Sequence, residues 1–250
     1  MKILILASPR SGSSNLLKAL AESHQLTRIH EPFNDDYHFL AKREKIAQTN
    51  YDVTNHLNVP ENVAIKCLSY FNHWLNDKNN KWSKGITLKE YVKRYYNEEY
   101  IGRKHAFFKQ YVKCFDKIVL LLRRDVGDQL KSLLIGEAVR GQTGGNLTIW
   151  SAPYRDFDPV FDQNAVFVTT FLYDAIKEIE RISAETKIPI VYYEDLYTSD
   201  KLRLQKTNEL FDLGITEAIW KKYMDPKNRS RQKKDSGNLK TNKYSKEEKK

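Results

Sequence analysis

Cysteine is scarce: the chain has two in 250 residues, Cys67 and Cys114, each among apolar neighbours. Two thiols without metal-ligand spacing make neither a disulfide framework nor a zinc motif. They read as free, buried thiols in a reducing compartment. No apolar run approaches the roughly 20 residues of a membrane-spanning helix, so no membrane span is expected. The first residues enter a strand-like run with no signal-peptide pattern, which makes a cytoplasmic protein the expectation. Acidic residues are outnumbered, 32 against 42 Lys and Arg, for a net charge of +10. The excess is local. Residues 226–250 hold ten Lys/Arg and three Asp/Glu, or +7, which leaves +3 for the rest. A nucleic-acid surface is therefore not required by composition. The length suits one domain, 1–225, followed by a basic tail, 226–250. There is no internal repeat.

What is present begins at once. Lys2 to Ala7 is an apolar run rich in Ile and Leu, the pattern of a strand buried on both faces. Ser8-Pro9-Arg10-Ser11-Gly12-Ser13-Ser14 breaks it. From Asn15 the apolar period changes, with Leu16 and Leu20, and Leu17 and Ala21, four apart on a helical face. A strand, a tight loop and a helix N-terminus in succession attract anions, because the first helical N–H groups have no intrahelical partner. Gly12 permits close backbone approach or positive φ, the serines add hydroxyl donors, and Arg10 brings a permanent planar cation. The plainer reading is a strand–turn–helix whose serines cap the helix. The loop also lacks something: GxxxxGKS/T would place Lys where Ser13 stands. A nucleoside-triphosphate-hydrolysing motor is therefore a weak reading.

Thr27–Pro32 reads as a short extended segment ending in Glu31-Pro32, and apolar runs predict further strands at Val63–Ser69, Lys117–Arg124 and Ile188–Tyr193. Helical periodicity predicts helices near Phe39–Gln48, from Thr87 to about Tyr100, at Val126–Arg140 with Leu130, Leu133 and Leu134 inward, and at Asn164–Lys187. Two more fit Lys201–Phe211 and Thr216–Met224. Gly141 is expected to stop its helix and open an irregular loop to Asp162. Short apolar strands alternating with helices imply an α/β fold, a parallel β-sheet flanked by helices. Ligands of such sheets bind beyond the carboxyl ends of the strands. That rule gathers Ser8–Ser14, Glu31, Lys66, Arg124 and Glu194 at one rim.

The stretch PRSGSSNLL resembles the 5′-phosphosulfate loop of sulfotransferases that use 3′-phosphoadenosine 5′-phosphosulfate (PAPS), in the style of the carbohydrate and tyrosylprotein branches. A second signature is similar to the same family: Arg124 at a strand end with Ser132 eight residues on, in RDVGDQLKS, where Val126 and Gly127 replace the Pro and Arg usual in carbohydrate sulfotransferases. The plainer reading pairs Arg124 with Asp125 or Asp128. The resemblance implies a P-loop nucleotide-hydrolase-like sulfotransferase fold and in-line transfer of a sulfuryl group from PAPS to an acceptor hydroxyl or amine, without a metal. It implies donor binding by Arg10, Ser11, Gly12, Ser13, Ser14 and Asn15 at the 5′ end, and by Arg124 and Ser132 at the 3′-phosphate.

Deprotonating the acceptor needs a positioned base. HEPF resembles the segment that carries the proposed glutamate base of carbohydrate sulfotransferases, which singles out Glu31; His30 competes on its ordinary pKa. Strand alternation sends the two to opposite sides. Lys66 in IKCL resembles the lysine of a K-T-H-L segment, with Leu68 where the cytosolic branch has a catalytic histidine. This lysine is the candidate to assist at the sulfonate. Tyr192-Tyr193-Glu194-Asp195-Leu196 resembles a Y-E-D-L segment whose role is structural. In the tail, Arg229, Arg231, Lys233 and Lys234 either close over the 3′-phosphate or form a solvated charge run. Trp74, Trp82, Trp150 and Tyr154 are either acceptor-site walls or core, and the acceptor's identity stays open. The competing classes are a P-loop-like small-molecule kinase, which would want a loop lysine, and a binding module that uses the basic tail.

Overall fold

The computed structural model describes residues 1–33, 56–69, 98–142 and 163–226. Five strands form one all-parallel sheet: β1 (Lys2–Ala7), β2 (Thr27–His30), β3 (Val63–Leu68), β4 (Lys117–Leu122) and β5 (Ile190–Tyr192), in the order β2-β3-β1-β4-β5. The helices described are α1 (Ser13–His24), α2 (Glu98–Tyr111), α3 (Val126–Gln142), α4 (Gln163–Thr186), α5 (Tyr193–Leu196), α6 (Lys201–Leu210) and α7 (Glu217–Tyr223). This is the expected α/β class.

The sheet is buried on both sides because its strands alternate between two cores. Ile3, Ile5 and Ala7 pack with Leu16, Leu17 and Leu20 of α1 and Trp220 of α7. Leu4 and Leu6 face the opposite way and pack with Phe107, Phe108 and Tyr111 of α2 and Ile179 and Ile182 of α4. β1 is the central strand, and Ile3 to Ala7 have no exposed surface. The chain first fills the β2, β3 side and then crosses to β4 and β5. That reversal opens a crevice at the carboxyl end of β1, where ligands of open α/β sheets bind.

Some boundaries differ from the sequence reading. A helix runs from Glu98 to Tyr111, past the Tyr100 at which the sequence reading ended its helix, with Lys104, Phe107, Phe108 and Tyr111 on one buried stripe at helical spacing; residues 87–97 lie outside the described residues. α3 passes through Gly141 to Gln142: a glycine weakens a helix without obliging it to stop. The inward stripe of α3 starts at Gln129, not Leu130, and continues through Leu133 and Leu134. The helix expected near Phe39–Gln48, most of the loop before Asp162, Trp74, Trp82, Trp150, Tyr154 and the tail beyond Pro226 lie outside the described residues. No helix among the described residues is long and apolar enough to cross a membrane.

Candidate active site

Residues Ser8–Gly12 turn the chain from β1 into α1 through two left-handed residues, Arg10 at φ 61° and Gly12 at φ 80°. A non-glycine residue there costs about 1 kcal/mol or more, so tertiary contacts must hold Arg10 in place. They do. Ser8 N–H donates to Leu121 O at 3.3 Å, and Ser11 Oγ donates to Ser8 O at 2.7 Å. The fully buried Gln129 of α3 donates to Ser8 Oγ at 2.8 Å and to Pro9 O. Gly12 is the N-cap of α1 and carries no side-chain cap. Asn15 N–H donates to Gly12 O at 3.1 Å, and the N–H groups that open a helix attract anions.

Gly12 is enclosed from the far side. Tyr197 Oη donates to Gly12 O at 2.6 Å. Tyr197 stacks on Tyr193 with centroids 4.4 Å apart, and the Arg123 guanidinium lies 4.8 Å over the Tyr193 ring. Arg10 reaches out of the loop, and its Nε donates to Ser132 Oγ at 3.1 Å. The loop and the α3 serine, read separately in sequence, are thus one neighbourhood.

A second group of charges lies under the first turn of α1. Lys66 is inside β3, in register with His30 of β2 and Ile5 of β1. Strand alternation turns Lys66 and His30 to the α1 side, as it does Ile5. Lys66 Nζ donates to Ser14 Oγ at 3.2 Å, to His30 Nε2 at 3.3 Å and to the Glu31 carboxylate. Ser14 Oγ is also 3.0 Å from His30 Nε2. The expectation that His30 and Glu31 point to opposite sides is corrected here. Glu31 lies past the end of β2 at φ 48°, so pleat alternation no longer applies, and its N–H bonds to Lys66 O at 2.8 Å. Burial and the neighbouring ammonium of Lys66 press the His30 pKa down to about 3. His30 is neutral, accepts at Nε2 and carries its proton on Nδ1, which is buried without a hydrogen-bond partner.

Arg124 stands just past β4, and its side chain does not join the loop. It pairs with Asp195 through two bonds of 2.7 Å each, lies 4.1 Å over the Tyr192 ring, and is about half-exposed. Arg203 of α6 shares the same carboxylate. Burial raises the Asp195 pKa, but hydrogen bonds from Arg124 and Arg203 outweigh it and hold the group below the usual carboxylate range. Neither Asp125 nor Asp128 is the partner of Arg124. Asp125 caps α3 by accepting from Asp128 N–H at 2.8 Å, and Asp128 pairs with Arg123. Glu194 accepts from the backbone N–H groups of Arg124 and Asp125. The YEDL segment is thus a structural brace for the end of β4.

The sequence reading gathered Ser8–Ser14, Glu31, Lys66, Arg124 and Glu194 at one rim; the structure joins Ser14, Lys66 and Glu31 in one cluster and Arg10 to Ser132, while the Arg124 side chain turns to Asp195. It missed Gln129, Arg123, Tyr193 and Tyr197. Gln129 left one signal, a polar residue on the buried stripe of a helix. Among the described residues, no three His, Cys, Asp or Glu side chains converge as a metal site. The chain matches no known family model and no curated protein.

Proposed function

We propose that the chain is a PAPS-dependent sulfotransferase on a P-loop-like sulfotransferase fold, acting on an acceptor hydroxyl or amine, a carbohydrate being one candidate. The observation that carries this reading is the Arg10–Ser132 hydrogen bond. It joins two motifs, each resembling a PAPS-binding element, at the crevice of a parallel sheet. The donor fits the residues present. The uncapped α1 N-terminus, Arg10 and the Ser11–Ser14 segment suit a 5′-phosphosulfate, and pairing with Asp195 occupies only two of the five N–H donors of Arg124.

When bound, PAPS supplies an activated sulfuryl group and a phosphate leaving group. Arg10 and the first N–H groups of α1 stabilise negative charge growing on that phosphate, and being fixed by the fold they need little reorganisation. Ser132 and Arg124 hold the far phosphate and fix orientation. Glu31 takes the acceptor proton, with Lys66 beside it. His30 is an acceptor for Lys66 rather than the base, since a histidine with a pKa near 3 is a poor base at neutral pH.

The test is calorimetric titration with the desulfonated product, 3′-phosphoadenosine 5′-phosphate (PAP). Micromolar binding by wild type, weakened by about 1.5–3 kcal/mol in Arg124→Ala, supports the reading. Folded wild-type protein that does not bind PAP overturns it.

A further inference from the structure

Arg124 is not alone at its carboxylate. Arg124 holds Asp195 through Nη1 and Nη2. Arg203, in the first turn of α6, donates from Nε to Asp195 Oδ1 at 2.7 Å and pairs with the same oxygen through Nη2. Different elements deliver the two arginines. Arg124 follows β4 and lies on the Tyr192 ring. Arg203 is fixed by its helix: Asp200 caps α6 by accepting from the N–H groups of Leu202 and Arg203, and Thr207 Oγ1 donates to Arg203 O. Two guanidinium groups repel each other, and the carboxylate between them is what allows them to sit side by side.

Two cations share one anion here, so the group keeps an excess of positive charge. The other acids beside it have their own donors. Glu194 accepts from the backbone N–H groups of Arg124 and Asp125, and Asp200 is turned to the α6 backbone. Each guanidinium has five N–H donors, and Asp195 takes only two from each. Asp195 is 16% exposed, whereas the Arg124 and Arg203 side chains are 46% and 45% exposed. The bridge is inside and the forks are open to solvent. A terminal phosphate monoester matches such a pair, since its several oxygens accept from two planar forks at once. We propose that Arg203 is a second arginine of the phosphate site: with Arg124, across Asp195, it grips a terminal phosphate monoester, which in the donor is the 3′-phosphate. The inference rests on the sulfotransferase reading and adds a residue that no motif in the sequence marks. Because Asp195 already holds both guanidinium groups, little ordering remains to be done when the ligand arrives.

The experiment is calorimetric titration of wild type and Arg203→Ala with PAP and, by displacement of PAP, with adenosine 5′-phosphate, which lacks the 3′-phosphate. Arg203→Ala is expected to bind PAP about 10-fold more weakly, as for one lost charged hydrogen-bonding partner. It should bind adenosine 5′-phosphate as wild type does. A role confined to holding Arg124 through Asp195 would weaken PAP binding in the same way, so the substitution is repeated in Arg124→Ala. There a direct contact predicts a further loss of PAP affinity, and a positioning role predicts none. Arg203→Lys keeps the charge and gives up the fork, and its PAP affinity is expected between those of wild type and Arg203→Ala. It replaces Arg203→Ala should that variant not unfold cooperatively. Wild-type PAP affinity in the Arg203 variants, an equal loss for both nucleotides, or no further loss in the Arg124→Ala background overturns the assignment of Arg203 and leaves the donor site standing. Failure of folded wild type to bind PAP overturns both.

Discussion

Arg10 Nε and Ser132 Oγ are 3.1 Å apart across 122 residues of sequence. Arg10 sits at a backbone angle that disfavours side chains, and Ser132 lies on the second turn of α3. Such a contact forms only when the β1–α1 loop and the start of α3 have docked. It measures the assembly of the crevice.

Because each residue is held by the other, their removal is expected to be non-additive. A double-mutant cycle of Arg10→Ala and Ser132→Ala, read by urea unfolding, should give a coupling of about 0.5–1.5 kcal/mol for a half-buried charged hydrogen bond. Additive single-variant losses would mean that the two side chains do not meet in solution.

His30 predicts an acid limb in stability. Its folded pKa of about 3 lies below the ordinary 6.5. Between those values the unfolded chain binds a proton that the folded chain refuses. Stability is thus complete above the ordinary value and declines as the pH falls toward the folded one. Between pH 7 and pH 4.5 the loss from this residue is about 2–3 kcal/mol. His30→Gln keeps an acceptor for Lys66 and removes the titration. Denaturant unfolding across that range should show a shallower acid limb for His30→Gln, and parallel curves would contradict the buried, neutral histidine.

Away from the crevice, Lys104 of α2 is 1% exposed, with Asp174 at 2.5 Å and Glu178, itself 3% exposed, at 3.7 Å on α4. Lys104→Met would leave those carboxylates without their buried cation and should destabilise the fold by about 3–5 kcal/mol. Lys104→Met combined with Asp174→Asn and Glu178→Gln should recover part of the loss, since removing the charges together avoids the unpaired state. Thermal melts of the two proteins decide the matter. Calorimetric PAP binding at a temperature where both are folded should match wild type.

β1, β3, β4 and β5 were legible because a strand buried in a parallel sheet reads as an apolar run, whereas β2, Thr-Arg-Ile-His at the sheet edge, was legible only as a short extended segment. The gathering of Arg10, Glu31 and Lys66 followed from the parallel sheet, whose carboxyl ends share one rim, whereas Ser132, inside α3, was singled out only by the resemblance. The direction of Glu31 was not legible: it depends on a single left-handed residue after β2, and alternation carries no warning of that. The partner of Arg124 was not legible either. Nearby acids at 125 and 128 are the natural guess, but α5 delivers Asp195 from 71 residues away, and no local pattern encodes the docking. Gln129 and Tyr197 escaped for a similar reason. Their role is to hold backbone carbonyls of the loop, and a carbonyl leaves no mark in the sequence.

Gly12 is where backbone, aromatic column and proposed chemistry meet, so it gives the sharpest substitution. A Cβ there would lie 2.8 Å from one ring carbon of Tyr197 and 2.9 Å from a ring carbon of Tyr193, on a residue at φ 80°. Neither ring moves easily, since Tyr197 is tied to Gly12 O and stacked on Tyr193, which itself lies under Arg123. The left-handed angle alone costs alanine about 1–2 kcal/mol, and displacing the rings adds to it. Gly12→Ala is therefore expected to lose about 2–4 kcal/mol in denaturant unfolding. Tyr197→Phe, which gives up only the hydrogen bond to Gly12 O, should lose about 0.5–1.5 kcal/mol. Combining Gly12→Ala with Tyr197→Ala opens the space and should return part of the alanine penalty, leaving the φ cost behind. If Gly12→Ala is as stable as wild type, the loop does not pack on the tyrosine pair, and the anion cradle built on that packing falls with it.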